Sequence, residues 1–323
     1  MNQFTQLHAR LHQTLRQRKL LRKGARVLIA VSGGQDSLCL GKLLLDLRSH
    51  WSWHLAIAHC DHRWSTDEGI ADRVREVAAS WDIPLYLKVA EVVKETEAAA
   101  RKWRYAALTE IATEYEFEYI VTGHTMSDRA ETFLYNLIRG AGADGLSALT
   151  WERSLTHEIS LVRPLLNFYR RETLEFCQQF QLPVWFDVVN KDRKYTRSRI
   201  RADLIPYLQD NFNPQVEKSL AQTAELLRGD VEYLETAASQ LLQKALDPQE
   251  NKLNRLCLRQ APLALQRRAI RQFLPKFITK KPDFEQIEAV VNLITAPNKS
   301  RTSTLPGGAI AEVQQEWIVF LKC

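Results

Sequence analysis

The sequence predicts an α/β fold, a doubly wound parallel sheet followed by a smaller, mainly helical domain. Short apolar runs of strand length recur between longer stretches with helical spacing, and the first of these runs breaks at a pair of glycines. Beyond Asn213-Pro214 the alternation gives way to long amphipathic helices. Alternating strands and helices build parallel sheets with right-handed crossovers, and such sheets bind ligands beyond the carboxyl ends of their strands. The residues that follow each strand are therefore the ones to read for chemistry.

Met1 to Leu20 is polar and basic, with Phe4, Leu7, Leu11 and Leu15 at helical spacing, which predicts a helix rather than a signal peptide. Val27-Leu-Ile-Ala-Val31 is too short for a helix and reads as a strand buried on both faces. It stops at Ser32-Gly33-Gly34-Gln35-Asp36-Ser37. Glycines let the backbone turn sharply and approach a ligand, and Ser37 is expected to cap the helix that follows. Strand, glycine loop and helix N-terminus make an anion site, with a nucleotide as the first expectation. The Lys-Ser/Thr pair of a Walker A loop is absent, and Asp36 sits inside the loop instead. A carboxylate so close to polyphosphate needs a divalent cation between them, so Asp36 is the expected Mg²⁺ residue. The alternative is a plain polar turn.

Trp53–His59 is the second expected strand, 67–81 a helix, Leu85–Val89 the third strand, 96–115 a helix, and Tyr119–Thr122 the fourth strand before a helix from Ser127. His59-Cys60-Asp61-His62 after the second strand matches no common zinc spacing; it is a polar loop or part of a pocket. Arg101 and Arg104 share a helix face and could both reach phosphate, or could simply be solvated. Asp128 and Glu131 also share a face, suiting a cationic substrate or a metal, although a helix-capping role fits the same residues. Six Lys/Arg residues between 191 and 201, interleaved with Tyr195, suit an RNA backbone and a stacked base, against the alternative of a solvated loop. Helices over Val216–Leu246, 261–275 and 284–294 and a terminal hairpin complete the chain, with Arg267, Arg268, Arg271, Lys280 and Lys281 as a second candidate RNA surface.

At 323 residues the chain exceeds one ordinary core. The expected division is an N-terminal helix (1–23), a catalytic domain (24–212) and a mainly helical substrate-binding domain (213–323). Hydrophobic residues make up 45% and charged residues 25%, with no apolar run approaching the roughly 20 residues that span a bilayer, so no membrane association and a cytoplasmic location are expected. Five scattered cysteines without a C-x-x-C pair point to neither a disulfide framework nor a metal cluster. A net charge of +6 permits an anionic partner.

Ser32–Ser37 resembles the SGGxDS loop of the N-type ATP pyrophosphatases, the PP-loop superfamily with its adenine nucleotide alpha hydrolase-like fold. Three later segments narrow the resemblance to tRNA(Ile)-lysidine synthetases. They are Arg101-x-x-Arg104-Tyr105, the Gly123-His124-x-x-x-Asp128-x-x-Glu131-Thr132 stretch with Gly140, Gly142 and Gly145 behind it, and the run from Asp187 to Pro206. That family usually reads D-D-Q-A-E-T where this chain has Ser127-Asp128-Arg129-Ala130-Glu131-Thr132. The resemblance implies ATP bound with Mg²⁺ at Ser32, Gly33, Gly34, Gln35, Asp36 and Ser37, with His59 and His124 in the nucleotide pocket. It implies catalytic roles for Asp36, Arg104, Asp128 and Glu131. It implies tRNA or lysine contacts for Asp128, Glu131, Thr132, Arg197, Arg199 and Arg201. The implied partners are tRNA(Ile) with a CAU anticodon and L-lysine, and a homodimer is the expected assembly. The implied reaction activates the wobble cytidine as an adenylate, which lysine then attacks. The rivals are a tRNA thiolase of the same superfamily and a non-catalytic RNA-binding adaptor.

Overall fold

Arg26–Ala30 (β1) is the strand around which the first of two units is built. In the computed structural model, which describes residues 4–64, 68–91, 96–147, 149–185, 196–249 and 251–322, the chain divides into units Met1–Glu225 and Leu226–Cys323. After α1 (Gln6–Arg18) and β1 come α2 (Gln35–Trp51), β2 (His54–Asp61), α3 (Ile70–Ser80), β3 (Leu85–Val89), α4 (Glu97–Glu114), β4 (Tyr119–Thr122), α5 (Met126–Ile138) and α6 (Ala143–Leu146). Two short strands, β5 (Glu152–Ser154) and β6 (Ser160–Val162), precede α7 (Arg170–Gln179).

The six strands lie in the order β3-β2-β1-β4-β6-β5, all parallel except β5. Val27, Leu28 and Ile29 of β1 are fully buried, as a strand covered on both faces must be. On one side of the sheet Leu11 and Leu15 of α1 pack with Leu40, Leu43 and Leu44 of α2 and with Phe176 of α7. On the other, Leu108, Ile111 and Ala112 of α4 cover Leu28, Ala56 and Ile120. From β1 the chain moves outward through β2 and β3 and then returns to β4 on β1's other flank. The order therefore reverses at β1 and β4, and the crevice for a ligand opens beyond their carboxyl ends.

Thr196–Arg199 (α8) continues through one π-helical turn, Ile200–Leu204, into α9 (Ile205–Asn211). The boundary between the units falls inside α10 (Val216–Ala245). The second unit holds β7 (Lys252–Asn254), α11 (Arg255–Arg259), α12 (Leu263–Phe273), α13 (Phe284–Asn292), β8 (Ala309–Gln314) and β9 (Trp317–Lys322). The expected terminal hairpin is β8–β9, and β7 adds a third antiparallel strand that the sequence did not reveal. Phe273, Val290, Ile318 and Phe320 centre its core.

Candidate active site

The helix after the glycine loop starts three residues earlier than its sequence suggests. Gly33 adopts φ +83°, a left-handed value that only glycine takes without strain, and this lets α2 begin at Gln35 with Gly34 in the capping position. Ser37 is thus not the cap. It lies in the first turn, where its hydroxyl donates to the Gly34 carbonyl (2.8 Å) and accepts from the Ser32 amide (3.2 Å), closing the loop on itself. A Cβ at Gly123, just after β4, would stand 2.6 Å from the Asp36 carbonyl oxygen. The two strand-end loops therefore meet backbone to backbone. At this junction a cavity of about 420 Å³ opens, lined by Ser32, Gly34, Asp36 and Ser37 from the loop and by His59, Arg104, His124 and Asp128 from the neighbouring strand ends and helices. That size accommodates a nucleotide.

Thr125 caps α5, and its amide and hydroxyl both donate to Asp128 Oδ2 (2.8 Å each). The capping reading of Asp128 thus holds for one carboxylate oxygen. The other faces Arg170, the first residue of α7, and this arginine joins three carboxylates. It donates to Asp36 Oδ2 at 2.9 Å and to Asp128 Oδ1 at 3.2 Å, and it lies 3.7 Å from Glu131 Oε1. Arg201 closes the other side of Glu131 with two bonds of 2.6 and 2.8 Å. The cluster thus sets two guanidinium groups against three carboxylates. Burial raises the Asp36 carboxyl above its ordinary range, Arg170 opposing that rise, and burial likewise raises Glu131 against the pull of Arg201. For Asp128 the burial penalty is overcome by Arg170, His124 and the Thr125 bonds, and its value falls. Burial lowers the His124 imidazole, keeping it neutral, with Nδ1 2.9 Å from the Thr122 hydroxyl.

The remaining expected residues fall into separate places. His59 Nδ1–H donates to the Val31 carbonyl at 2.7 Å, tying β2 to the start of the loop. Gln35 turns away from the cavity and donates to the Arg170 carbonyl at 2.7 Å. Thr132 donates to the Asp128 carbonyl at 2.7 Å, an internal helix bond. Arg197 stacks on Tyr135, and Arg199 reaches the Thr196 hydroxyl at 3.5 Å, so neither lines the cavity among the described residues. Asp187 to Tyr195 of the basic run lie outside the described residues. Arg129 points away from the cavity to Glu225 (2.8 Å) and the Leu149 carbonyl (2.8 Å), and Ser127 accepts from the Arg170 amide at 3.3 Å. Both departures from the D-D-Q-A-E-T pattern thus serve packing and the placement of α7.

Sequence reasoning missed Arg170, Thr173 and Trp185. Thr173 donates to Asp36 Oδ1, and the Trp185 amide donates to the Gly33 carbonyl at 2.9 Å. The only signal for Arg170 was the helix start, where Glu172 closes a cap with the Tyr169 amide (2.8 Å). Nothing local aims the guanidinium at Asp36, which lies 134 positions away.

A PP-loop domain family model matches residues 4–208. A tRNA(Ile)-lysidine synthase from Nostoc sp. is 56% identical over 98% of this chain and 97% of its own length, and one from Synechocystis sp. is 53% identical over 98% of each. A chloroplastic tRNA(Ile)-lysidine synthase from Zygnema circumcarinatum is 36% identical over 88% of this chain and 79% of its own. Among solved structures, a U34-tRNA thiolase from Methanococcus maripaludis is similar in fold, with a TM-score of 0.59 at 18% identity, covering 68% of this chain and 77% of that one. The glycine loop at the switch point, the doubly wound sheet and these near full-length likenesses agree that the chain belongs to the tRNA(Ile)-lysidine synthase family of PP-loop proteins.

Proposed function

We propose that this chain is an ATP-dependent carbon–nitrogen ligase that joins free L-lysine to C2 of the wobble cytidine of tRNA(Ile) bearing a CAU anticodon. The observation that carries the reading is one cavity in which a phosphate-type glycine loop and a carboxylate–guanidinium cluster face each other. The cytidine C2 oxygen attacks the α-phosphorus of ATP and pyrophosphate leaves. The lysine amine then attacks C2, and AMP departs. Ser32, Gly34 and the first turn of α2 hold the phosphates through backbone amides and the helix dipole. Arg104 stabilises the charge that grows on phosphorus. Asp128 and Glu131, with Arg201 beside them, bind the charged groups of lysine. Arg197 and Arg199 stay with the RNA side of this reading.

The residues fit Mg²⁺. Among the described residues no group of three or more His, Cys, Asp and Glu forms a protein cage, but Mg²⁺ on a nucleotide takes one or two carboxylates and keeps waters and phosphates as its other ligands. Asp36, in the first turn behind the loop and lining the cavity, is the residue that would hold it. An ion held there would supply positive charge against the leaving pyrophosphate.

Cys60 and Cys177 do not favour sulfur transfer. Burial raises Cys60 to about 11 and Cys177 to about 12, so both stay protonated near neutral pH. The deciding assay combines the protein, ATP, labelled lysine and a tRNA(Ile) transcript with a CAU anticodon. Label in the tRNA, with one AMP and one pyrophosphate per lysine, is expected. A competent transcript that takes up no lysine refutes the proposal, and sulfur incorporation by the pure protein would establish the thiolase instead.

A further inference from the structure

Beside the cavity, four arginines from three elements surround one tyrosine. Tyr105 of α4 has the guanidinium carbons of Arg101, Arg153 and Arg104 at 5.1, 5.4 and 5.9 Å from its ring centroid. Arg101 and Arg104 come from α4 and Arg153 from β5. Arg163, just after β6, is 2% exposed and anchored to the Thr150 carbonyl at 2.7 Å. Among the described residues, Arg101, Arg104 and Arg153 have no carboxylate partner. Several other arginines of this unit do face carboxylates: Arg10 with Glu172, Arg129 with Glu225, and Arg170 and Arg201 with Glu131. A guanidinium group taken partly out of water without a counter-ion is costly, and four together also repel one another. Burial and the neighbouring arginines lower Arg101. For Tyr105 the same arginines outweigh burial and pull the phenol below its usual value. The collar is a concentrated positive potential that no carboxylate among the described residues compensates.

Arg104 and Tyr105 line the cavity, whereas Arg101, Arg153 and Arg163 do not. The collar therefore begins at the cavity wall and runs outward to Arg153 at the surface. Pyrophosphate released from the glycine loop would stay within the cavity. A ligand that puts one group into the cavity and a phosphate outside it has to be a chain. We propose that Arg101 and Arg153, beside Tyr105 and the buried Arg163, bind a backbone phosphate of the RNA next to the nucleotide whose base enters the cavity. Arg163 and Tyr105 hold the site from beneath, while Arg101 and Arg153 donate to the phosphate oxygens in the forked geometry that guanidinium offers. The proposal rests on the ligase reading only for the identity of the RNA.

The test measures equilibrium binding of the CAU-anticodon tRNA(Ile) transcript across a salt series, without turnover, for the full chain and for Arg101→Gln, Arg153→Gln and Arg101→Lys. Affinity is expected to fall about tenfold in Arg101→Gln and about threefold in Arg153→Gln. Each should flatten the slope of log K against log salt by about 0.7, the loss of one single-strand phosphate contact. Arg101→Lys keeps the charge and should keep the slope, which a merely structural arginine would not do. Binding of inorganic pyrophosphate is measured on the same variants. Weaker pyrophosphate binding with an unchanged RNA slope would assign the collar to the leaving group and overturn the proposal, as would no change in either. A wild-type chain that binds the transcript but never transfers lysine would refute the ligase reading while leaving the collar's RNA contact standing.

Discussion

Arg170→Met removes the cation that joins the glycine loop to α5 while keeping most of the side-chain volume. The wild-type guanidinium lies 2.9 Å from Asp36, 3.2 Å from Asp128 and 3.7 Å from Glu131, and its side chain is 29% exposed against 14%, 16% and 4% for the three carboxylates. Each contact is worth several kcal/mol of gross Coulomb energy near an effective dielectric of about 20, but desolvation cancels most of it. Removing one partner of a buried pair costs about 3–5 kcal/mol, and the partial exposure of Arg170 sets the expectation at the lower end, about 3 kcal/mol. The pH dependence has a definite sign. Asp36 and Glu131 are already raised in the folded chain by burial, and without Arg170 they rise further. A folded carboxyl raised above its unfolded value binds its proton first, so the penalty is largest above the folded pKa and fades as pH falls. Urea unfolding of the wild type and the variant, followed by fluorescence, should show a stability gap near pH 8 that narrows on acidification towards pH 5. Lysine transfer should fall at least about 100-fold, since Asp36 and the α5 carboxylates lose their common anchor. A gap below about 1 kcal/mol at pH 8, or one that widens on acidification, would refute the reasoning.

Two further substitutions test the walls of the cavity. Gly123→Ala places a methyl group 2.6 Å from the Asp36 carbonyl oxygen and 2.9 Å from the Ser37 amide, both backbone atoms, so the loop must shift. The overpacking costs about 1–3 kcal/mol and should weaken binding of a non-hydrolysable ATP analogue about tenfold or more, whereas wild-type affinity would show that the loop is not set by this contact. His124 is lowered by burial, so the unfolded chain takes up its proton first as pH falls below about 6.5, and acid destabilises the fold. His124→Gln should lessen the loss of stability between pH 6.5 and 4.5 in thermal unfolding, and an unchanged slope there would place the imidazole in water.

Local chemistry sufficed for much of this architecture. Five apolar residues followed by Ser-Gly-Gly can be read without a partner, because strand length, glycine conformations and helix dipoles are properties of a few consecutive residues. The strands Leu85–Val89 and Tyr119–Thr122 coincide with β3 and β4 for that reason. The same holds for the pairing of Asp128 with Glu131, three residues apart on one helix face. Expectation and structure part where a contact crosses the fold. Ser37 looked like a cap, but the turn at Gly33 moves the helix start back and leaves its hydroxyl to close the loop. β7 is three residues long and exists only because Trp317–Val319 supply its hydrogen bonds. Arg199 and Arg201 look alike in a basic run, yet only Arg201 reaches Glu131. Arg170 carries no local mark beyond its place at a helix start. Its part in the site comes from α7 packing beside α2, with Gln35, Ser127 and Thr173 fixing the backbone and carboxylate around it. The sequence by itself determined which residues make the glycine loop and which carboxylates share a face. Only the tertiary structure decided which cations face those carboxylates and which arginines stand without one among the described residues, because charge compensation depends on distances between segments that the chain order does not contain.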